Sequence, residues 1–187
     1  MRVIATVGLP GSGKGEAAEV AADLHIPVVS MGDVVRAATR ERGGDPATDH
    51  GRVAKALREE EGPDAIAARS LPRIRERFEA GADVVLVDGV RSDAEVACFE
   101  DAFGEDFSLV SIEAPFEVRR ERIAERGRDA TAAEGGEDLA ERDERELGFG
   151  MGRAMEQADH TIENTESLAA FREAVADLLR AERRADP

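Results

Sequence analysis

This chain of 187 residues has almost no cysteine, tryptophan or tyrosine: Cys98 is the only cysteine, and Trp and Tyr are absent. A single cysteine excludes an intrachain disulfide and a metal site built from several cysteines, which fits a reducing cytoplasm. With aromatic residues at 4%, we expect an aliphatic core and no stacking platform for single-stranded nucleic acid. The chain also lacks an apolar run of the roughly 20 residues that span a bilayer. Its first residues lack the pattern of a secretory signal, so we expect a cytoplasmic protein without membrane contact.

Lysine is also scarce, and the charge is strongly one-sided. Asp and Glu number 41 against 25 Lys and Arg, which gives a formal net charge of -16. Such a charge argues against general nucleic-acid binding, because it repels a phosphate backbone. Only Lys14 and Lys55 are lysines, and the other basic residues are arginines. An acidic surface nearly free of lysine is typical of salt-loving archaea, and an ordinary acidic cytosolic enzyme is the alternative.

Hydrophobic periodicity predicts strands alternating with helices. Strands are predicted over residues 1–7, 26–30, 82–87, 107–112 and 160–163. Helices are predicted over residues 14–25, from 32 onward, from 53 onward, and over 64–79, 94–103 and 167–180. Pro72 lies inside one helix and should kink or split it. The alternation predicts one mostly parallel, three-layer α/β domain with about five strands.

A charged stretch, residues 117–157, separates the last two predicted strands. It contains a glycine-rich break at residues 134–137 and has few large apolar residues. We therefore interpret it as helices plus a mobile, lid-like segment over the sheet.

A glycine-rich loop follows the first predicted strand and precedes the first predicted helix. In that context the spacing predicts a phosphate-binding loop: glycines allow the backbone close approach to phosphate, and the amides of the loop and the helix start point toward it. The lysine would reach the β- and γ-phosphates of ATP. The loop consists of Gly8, Leu9, Pro10, Gly11, Ser12, Gly13 and Lys14.

Two residues after this loop depart from its commonest form. Gly15 stands where a Ser or Thr hydroxyl usually holds Mg²⁺. Gly-Lys-Gly resembles the loop of adenylate kinase and other nucleoside monophosphate kinases, which implies a metal ion held mainly through phosphates and water. Those kinases usually have Thr next, but this chain has Glu16, which brings a carboxylate near the phosphates. Gly15 and Glu16 complete the predicted nucleotide-binding set.

A second motif begins a helix at Gly32-Asp33-Val34-Val35-Arg36. It resembles the Gly-Asp-x-x-Arg element of the same kinases, which implies that Arg36 binds the phosphate of an acceptor. A guanidinium suits that role because it can donate two parallel hydrogen bonds. The alternative is an exposed Arg36 paired with a nearby acid. If the acceptor presents a hydroxyl, Asp33 is the nearest candidate for a general base.

A third motif, Asp88-Gly89-Val90-Arg91, follows the most apolar predicted strand. Ligands of open α/β sheets bind at that edge. The motif resembles the kinase Asp-Gly-x-x-Arg turn shortened by one residue. The resemblance implies that Asp88 orients hydrated Mg²⁺ and that Arg91 is a second clamp on the acceptor. An ordinary Asp-Gly turn is the alternative.

Arginines of the charged stretch are candidates for closing over the transferred phosphate. Arg120 and Arg128, which flank a bend at Gly127, are predicted to be catalytic, although solvated helix residues paired with glutamates would have the same pattern. The other arginines considered are Arg119, Arg122, Arg126 and Arg142.

The segment Asp159-His160-Thr161-Ile162-Glu163-Asn164 resembles the carboxyl-terminal signature of dephospho-coenzyme A kinase, which implies that Asn164 lies near the nucleotide base. Together the motifs resemble an archaeal P-loop nucleotide-kinase-like family related to dephospho-coenzyme A kinase and adenylate kinase. The resemblance implies that the first strand lies between the third and fourth. It also implies ATP and Mg²⁺ as cofactors and a small acceptor such as a nucleoside monophosphate or dephospho-coenzyme A. The alternative is an ATP-binding or slowly hydrolysing regulator without an acceptor.

Overall fold

The computed structural model describes residues 1–126 and 138–184. Five strands form one sheet: β1 Arg2–Val7, β2 Val28–Ser30, β3 Val84–Val90, β4 Phe107–Glu113 and β5 His160–Glu163. The helices are α1 Lys14–Asp23, α2 Met31–Glu41, α3 His50–Glu61, α4 Ala65–Glu79, α5 Asp93–Phe103, α6 Phe116–Arg126, α7 Leu139–Gly148, α8 Met151–Glu156 and α9 Leu168–Arg184. No helix in these ranges is both long and apolar enough to cross a membrane.

The strand order is β2-β3-β1-β4-β5, and every neighbouring pair is parallel. This arrangement confirms the predicted α/β fold and the central position of β1 between β3 and β4. A parallel sheet needs helices on both faces, so its central strands are apolar on both sides. Strand β1 is accordingly buried from Val3 to Val7. The carboxyl ends of β1, β3 and β2 therefore lie side by side at one edge.

Alternate residues of β1 divide the core into two layers. Val3, Ala5 and Val7 pack with α2 to α5 and with α8, whereas Ile4 packs with α1 and α9. The core is mainly aliphatic, as the composition predicts, with one stacked aromatic pair between Phe99 and Phe107 at 5.8 Å between ring centroids. Each large apolar side chain buried this way contributes about 1.5 to 3 kcal/mol.

Pro72 does not split its helix, because α4 runs without interruption from Ala65 to Glu79. Proline lacks an N–H, so the carbonyl of Ala68 loses its helical donor. The helix continues past this defect because its inner face is held by buried residues on both sides, including Ile66 and Ile74. Of the two predicted effects of Pro72, the split is therefore wrong, and the kink stays a prediction.

The charged stretch contains α6, α7 and α8. Helix α8 contributes two fully buried side chains, Met151 and Ala154, to the main core, so this end of the stretch is anchored to the sheet. The glycine-rich break at 134–137 lies outside the described residues.

Candidate functional site

The loop between β1 and α1 is shaped by glycines whose surroundings leave little room for a side chain. Gly13 caps α1 with a left-handed φ of 119°. A Cβ added there would lie 2.4 Å from the side-chain nitrogen of Asn164. A Cβ on Gly8 would lie 2.3 Å from the carbonyl oxygen of Ile112. No side chain in the described ranges caps α1, so its first amides are available to an anion.

Asn164, directly after β5, contacts the backbone of this loop. Its Nδ2 donates to the carbonyl oxygen of Ser12 at 2.8 Å, and its Oδ1 accepts from Arg122 at 3.0 Å. The residue is 5% exposed, and both polar atoms of its side chain are bonded to protein. These bonds assign Asn164 to the loop backbone, while its predicted contact with the base stays a prediction. The Oγ of Ser12 is buried and has no hydrogen-bond partner among the residues described.

Lys14 begins α1 and lies half-buried under the loop. Its Nζ donates to the carbonyl oxygens of Gly8 and, at 3.2 Å, of Leu9. Burial lowers the pKa of Lys14 to about 8, against a rise caused by Asp88. Arg91 and Arg142 lower the pKa further, while Glu146 raises it. The pKa of Lys14 thus depends on charged residues from β3, α7 and the loop after β3.

Asp88 reaches this point through a bulge in β3. The sequence predicts that the strand ends at Val87, but it continues to Val90, and the pairing with β1 skips Gly89. Gly89 has φ of 104°, which a residue with a side chain rarely adopts. Bulges of this kind re-aim neighbouring side chains. Asp88 accepts a hydrogen bond from the Oγ1 of Thr6 at 3.2 Å.

A metal ion at this site would depend on few protein ligands. The described residues contain no group of three or more His, Cys, Asp or Glu side chains that could hold one. The carboxylate of Asp88 beside a phosphate-binding loop nevertheless fits hydrated Mg²⁺, which prefers oxygen ligands and keeps several waters. The interpretation of Gly15, in which phosphates and water supply most of the ligands, stays a prediction.

Helices α6 and α7 are attached to the loop by a buried ion pair. Both terminal nitrogens of Arg119 donate to Asp143, at 2.8 and 2.6 Å, and one of them also donates to the carbonyl of Pro10 at 3.1 Å. The Arg119 residue is only 3% exposed. Arg120, one position later, points outward and pairs with Glu117. The predicted catalytic residue Arg128 lies outside the described residues.

The two predicted acceptor clamps are both paired with carboxylates. Arg36 donates to Asp33 at 3.0 and 2.7 Å on the exposed side of α2, as the alternative interpretation expects. Arg91 donates to Glu146 on α7. Each guanidinium has further N–H groups that could bind an acceptor. The start of α2 lies next to the bulge, because a Cβ on Gly89 would be 3.7 Å from that of Met31.

Glu146 is a site residue that the sequence analysis missed. It is 1% exposed, and its Oε2 accepts no hydrogen bond within the described part of the chain. With Leu139 and Asp143 it forms one face of α7 at helical spacing, and all three are buried. The helical spacing of these three residues could have indicated that Glu146 is buried. The alternating Glu and Arg residues around them made the whole segment resemble a solvated helix.

Glu16 is also paired rather than left facing the loop. Its carboxylate binds Arg172 of α9, which also donates to Asp23 at 2.6 Å. The carboxylate that the sequence places beside the predicted phosphate-binding loop is therefore compensated by a guanidinium from α9.

Comparisons with known proteins agree with this architecture. The AAA domain family matches residues 7–139. A UPF0200 protein of Halobacterium salinarum is 57% identical over 182 residues, covering 97% of this chain and 94% of the relative. A UPF0200 protein of Methanosarcina barkeri is 48% identical, covering 96% and 95%.

Two solved structures share the fold at 18% identity. TT1252 from Thermus thermophilus superposes with a TM-score of 0.60 over 96% of this chain and 97% of that one. Shikimate kinase from Acinetobacter baumannii, in complex with shikimate, superposes with a TM-score of 0.57 over 100% and 95%. At this identity the likeness shows the fold alone, which is that of P-loop kinases.

Proposed function

Because the chain belongs to the UPF0200 family of archaeal proteins and has a nucleotide-binding, kinase-like P-loop fold, we propose that it binds ATP with Mg²⁺ and transfers the γ-phosphate to a small acceptor. One observation carries the proposal. Lys14 donates to the carbonyl oxygens of Gly8 and Leu9, beside α1 amides that no side chain of the described residues caps, at the carboxyl edge of the sheet where Asp88 and Arg91 also lie. A transferred phosphoryl group needs this set of charges around it.

The loop and Lys14 account for the nucleotide. The amides at the start of α1 offer fixed donors to phosphate oxygens, and the Lys14 ammonium adds a full positive charge. The hydrogen bonds from Lys14 to the carbonyls of Gly8 and Leu9 keep the amine at the loop. Both groups would act on the β- and γ-phosphates, where charge develops during transfer.

Asp88 and the phosphates would hold Mg²⁺. When bound, the ion would neutralise part of the phosphate charge. Asp88 is held by Thr6 through one carboxylate oxygen, which leaves its other oxygen for a metal-bound water. This arrangement supports Mg²⁺ binding without the hydroxyl that Gly15 lacks.

The acceptor would bind between α2 and the loop after β3, where Arg36 and Arg91 lie. Guanidinium groups favour an acceptor phosphate, such as that of a nucleoside monophosphate or dephospho-coenzyme A. Arginines paired to Asp33 and Glu146 can exchange a carboxylate for a phosphate, which carries more charge. The shikimate kinase that shares this fold was solved in complex with shikimate, and that likeness supports a small-molecule acceptor.

The experiment is a screen of nucleoside monophosphates, dephospho-coenzyme A and small alcohols for ATP-dependent phosphorylated product. Lys14→Ala is the matched negative control, since it removes the loop charge from a folded protein. We expect one acceptor class to give product with the natural chain and none with Lys14→Ala. Turnover that is equal in the two proteins would refute the loop assignment.

Arg36→Ala and Arg91→Ala then test the acceptor site. Each removes charge-assisted hydrogen bonds worth roughly 1.5 to 3 kcal/mol, so acceptor affinity should fall about tenfold or more while ATP affinity stays within about twofold. If no compound stimulates ATP turnover and both variants hydrolyse ATP at the natural rate, the phosphotransferase proposal fails and an ATP-binding regulator becomes the better hypothesis.

A further inference from the structure

The negative charge of Glu16 is unfavourable for a nucleotide bound at the loop. It lies in the first turn of α1, two residues after Lys14, close to the loop residues whose amides attract anions. A carboxylate there can accept hydrogen bonds from those amides and so compete with phosphate. It also repels a polyphosphate that binds alongside it.

Arg172 binds the Glu16 carboxylate, which can then no longer compete with phosphate for the loop amides. One terminal nitrogen of Arg172 binds Glu16, and the other donates to Asp23 at 2.6 Å. The Glu16 side chain is 13% exposed, whereas that of Asp23 is 70% exposed. Within the described ranges Arg172 is the only cation paired with Glu16. The pairing with Glu16 is thus the more strongly desolvated of the two.

We propose that Arg172 is a positioning residue for the nucleotide: it holds Glu16 against α9 so that the loop amides and Lys14 stay available to the phosphates. This inference rests on the proposed function, because it assumes that the loop binds ATP. It assigns to the last helix, more than 150 residues from the loop, an electrostatic part in nucleotide affinity.

A purely structural role for Arg172 is the competing explanation, in which the ion pairs only fasten α9 to α1. The packing of these helices argues against a need for such a fastening. Phe171, Val175 and Leu179 of α9 are buried in one cluster with Ala17 and Val20 of α1. The two helices are therefore joined by an apolar face whether or not the ion pairs form.

Asp23 provides a matched control. It binds the same guanidinium from the same helix as Glu16, but seven residues later, about 10 Å further along the helix axis from the loop. A fastening role treats the two carboxylates alike, whereas an electrostatic role at the loop involves Glu16 alone.

The experiment measures the dissociation constant of Mg·ATP by isothermal titration calorimetry for five folded proteins. These are the natural chain, Arg172→Gln, Glu16→Gln, and Arg172→Gln combined with either Glu16→Gln or Asp23→Asn. We expect Arg172→Gln to weaken binding about tenfold, from one uncompensated charge near the phosphates at an effective dielectric constant of about 20 and partial screening. Glu16→Gln should bind at least as tightly as the natural chain.

The double variants decide between the explanations. Glu16→Gln should restore the affinity of Arg172→Gln to within about twofold of the natural value, because it removes the competing charge, and Asp23→Asn should not. Full affinity in Arg172→Gln alone, or equal rescue by both second substitutions, would overturn the proposal. If instead the natural chain does not bind Mg·ATP, the proposed function itself fails.

Circular dichroism establishes that each variant is folded before titration. If Arg172→Gln does not fold, Arg172→Lys replaces it in every arm. Lysine keeps the aliphatic stem and one charge but cannot donate in a planar fork to two carboxylates. The same order of affinities is then expected with a smaller loss, about threefold, and rescue by Glu16→Gln but not by Asp23→Asn remains the deciding result.

Discussion

Raising the pH should weaken ATP binding because the loop lysine loses its proton unusually early. Burial lowers the pKa of Lys14 from 10.5 to about 8. On the proposed function this ammonium would bind phosphate. With that pKa it is nearly fully protonated at about pH 7, but only about one amine in ten carries its proton at about pH 9. Bound phosphates favour the charged amine, so binding at high pH must take up a proton.

This linkage has a definite size. If only the ammonium form binds, the dissociation constant of ATP stays nearly constant up to about pH 7.5 and then rises about tenfold for each pH unit above 8. The last phosphate ionisation has a pKa of about 6, so above about pH 7.5 the nucleotide itself contributes little to this change. Replacing Glu146 by Gln should make the affinity for ATP begin to fall at a lower pH, because the Glu146 carboxylate raises the pKa of Lys14.

Calorimetric titrations of ATP between about pH 6.5 and 9.5, in buffers of different ionisation enthalpy, would measure both the affinity and the proton uptake. Close to one proton should be taken up per ATP near about pH 9. Lys14→Arg is the control, because a guanidinium keeps its charge over this range and should give a flat profile. An affinity of the natural chain that does not change with pH would refute the reasoning, as would a fall of equal steepness in Lys14→Arg.

Three further predictions concern stability. Asp143→Ala leaves the buried Arg119 without its carboxylate, so the free energy of unfolding should fall by about 3 kcal/mol and Tm by roughly 6 to 12 °C. The control Glu117→Gln, in an exposed pair, should change Tm by less than about 2 °C. Similar Tm shifts for the two variants would count against a stabilising role of the buried pair. Burial raises the pKa of Glu182, but hydrogen bonds from Arg2, Ser108 and His160 outweigh it and lower that pKa below 4.5. The ionised carboxylate therefore stabilises the fold at a pH above the ordinary pKa of Glu, and this stabilisation is lost as the pH falls. The Tm of the natural chain should exceed that of Glu182→Gln near neutral pH, and the difference should disappear as the pH falls toward about 3. A difference in Tm that persists in acid would contradict the lowered pKa of Glu182. With a net charge of -16, Tm should rise as KCl is increased to about 1 M, where the Debye length is about 3 Å, and a flat or falling series would remove the inference of adaptation to salt.

The sheet could be predicted from the sequence because its signals are local. Strand β3 is a continuous apolar run, and the glycine-rich loop lies between a strand and a helix, so each pattern is complete within about ten residues. The bulge at Gly89 was not predicted, because Asp-Gly has the same signature in a turn and in a bulged strand.

The partners of the site residues could not be predicted, because they come from distant elements. Arg119 and Arg120 are adjacent in a run of alternating charge, and only the packing of α6 against Pro10 shows which of them faces the loop. Glu16 similarly looks like an obstacle to phosphate until α9 brings Arg172 beside it. Side-chain pairing across more than a hundred residues leaves no periodic trace in one sequence.

The hydrogen bond from Asn164 to the carbonyl of Ser12 has a consequence for how the chain is made. It joins residues 152 positions apart, so the loop at the start of the chain depends on a residue near its end. Contacts of such high sequence separation form late, because a long loop must close before they contribute. A growing chain on the ribosome therefore carries the complete phosphate-binding sequence for most of its synthesis without the contact that shapes it. On the proposed function, nucleotide would therefore stabilise chains in which β5 has already joined the sheet and Asn164 contacts the loop.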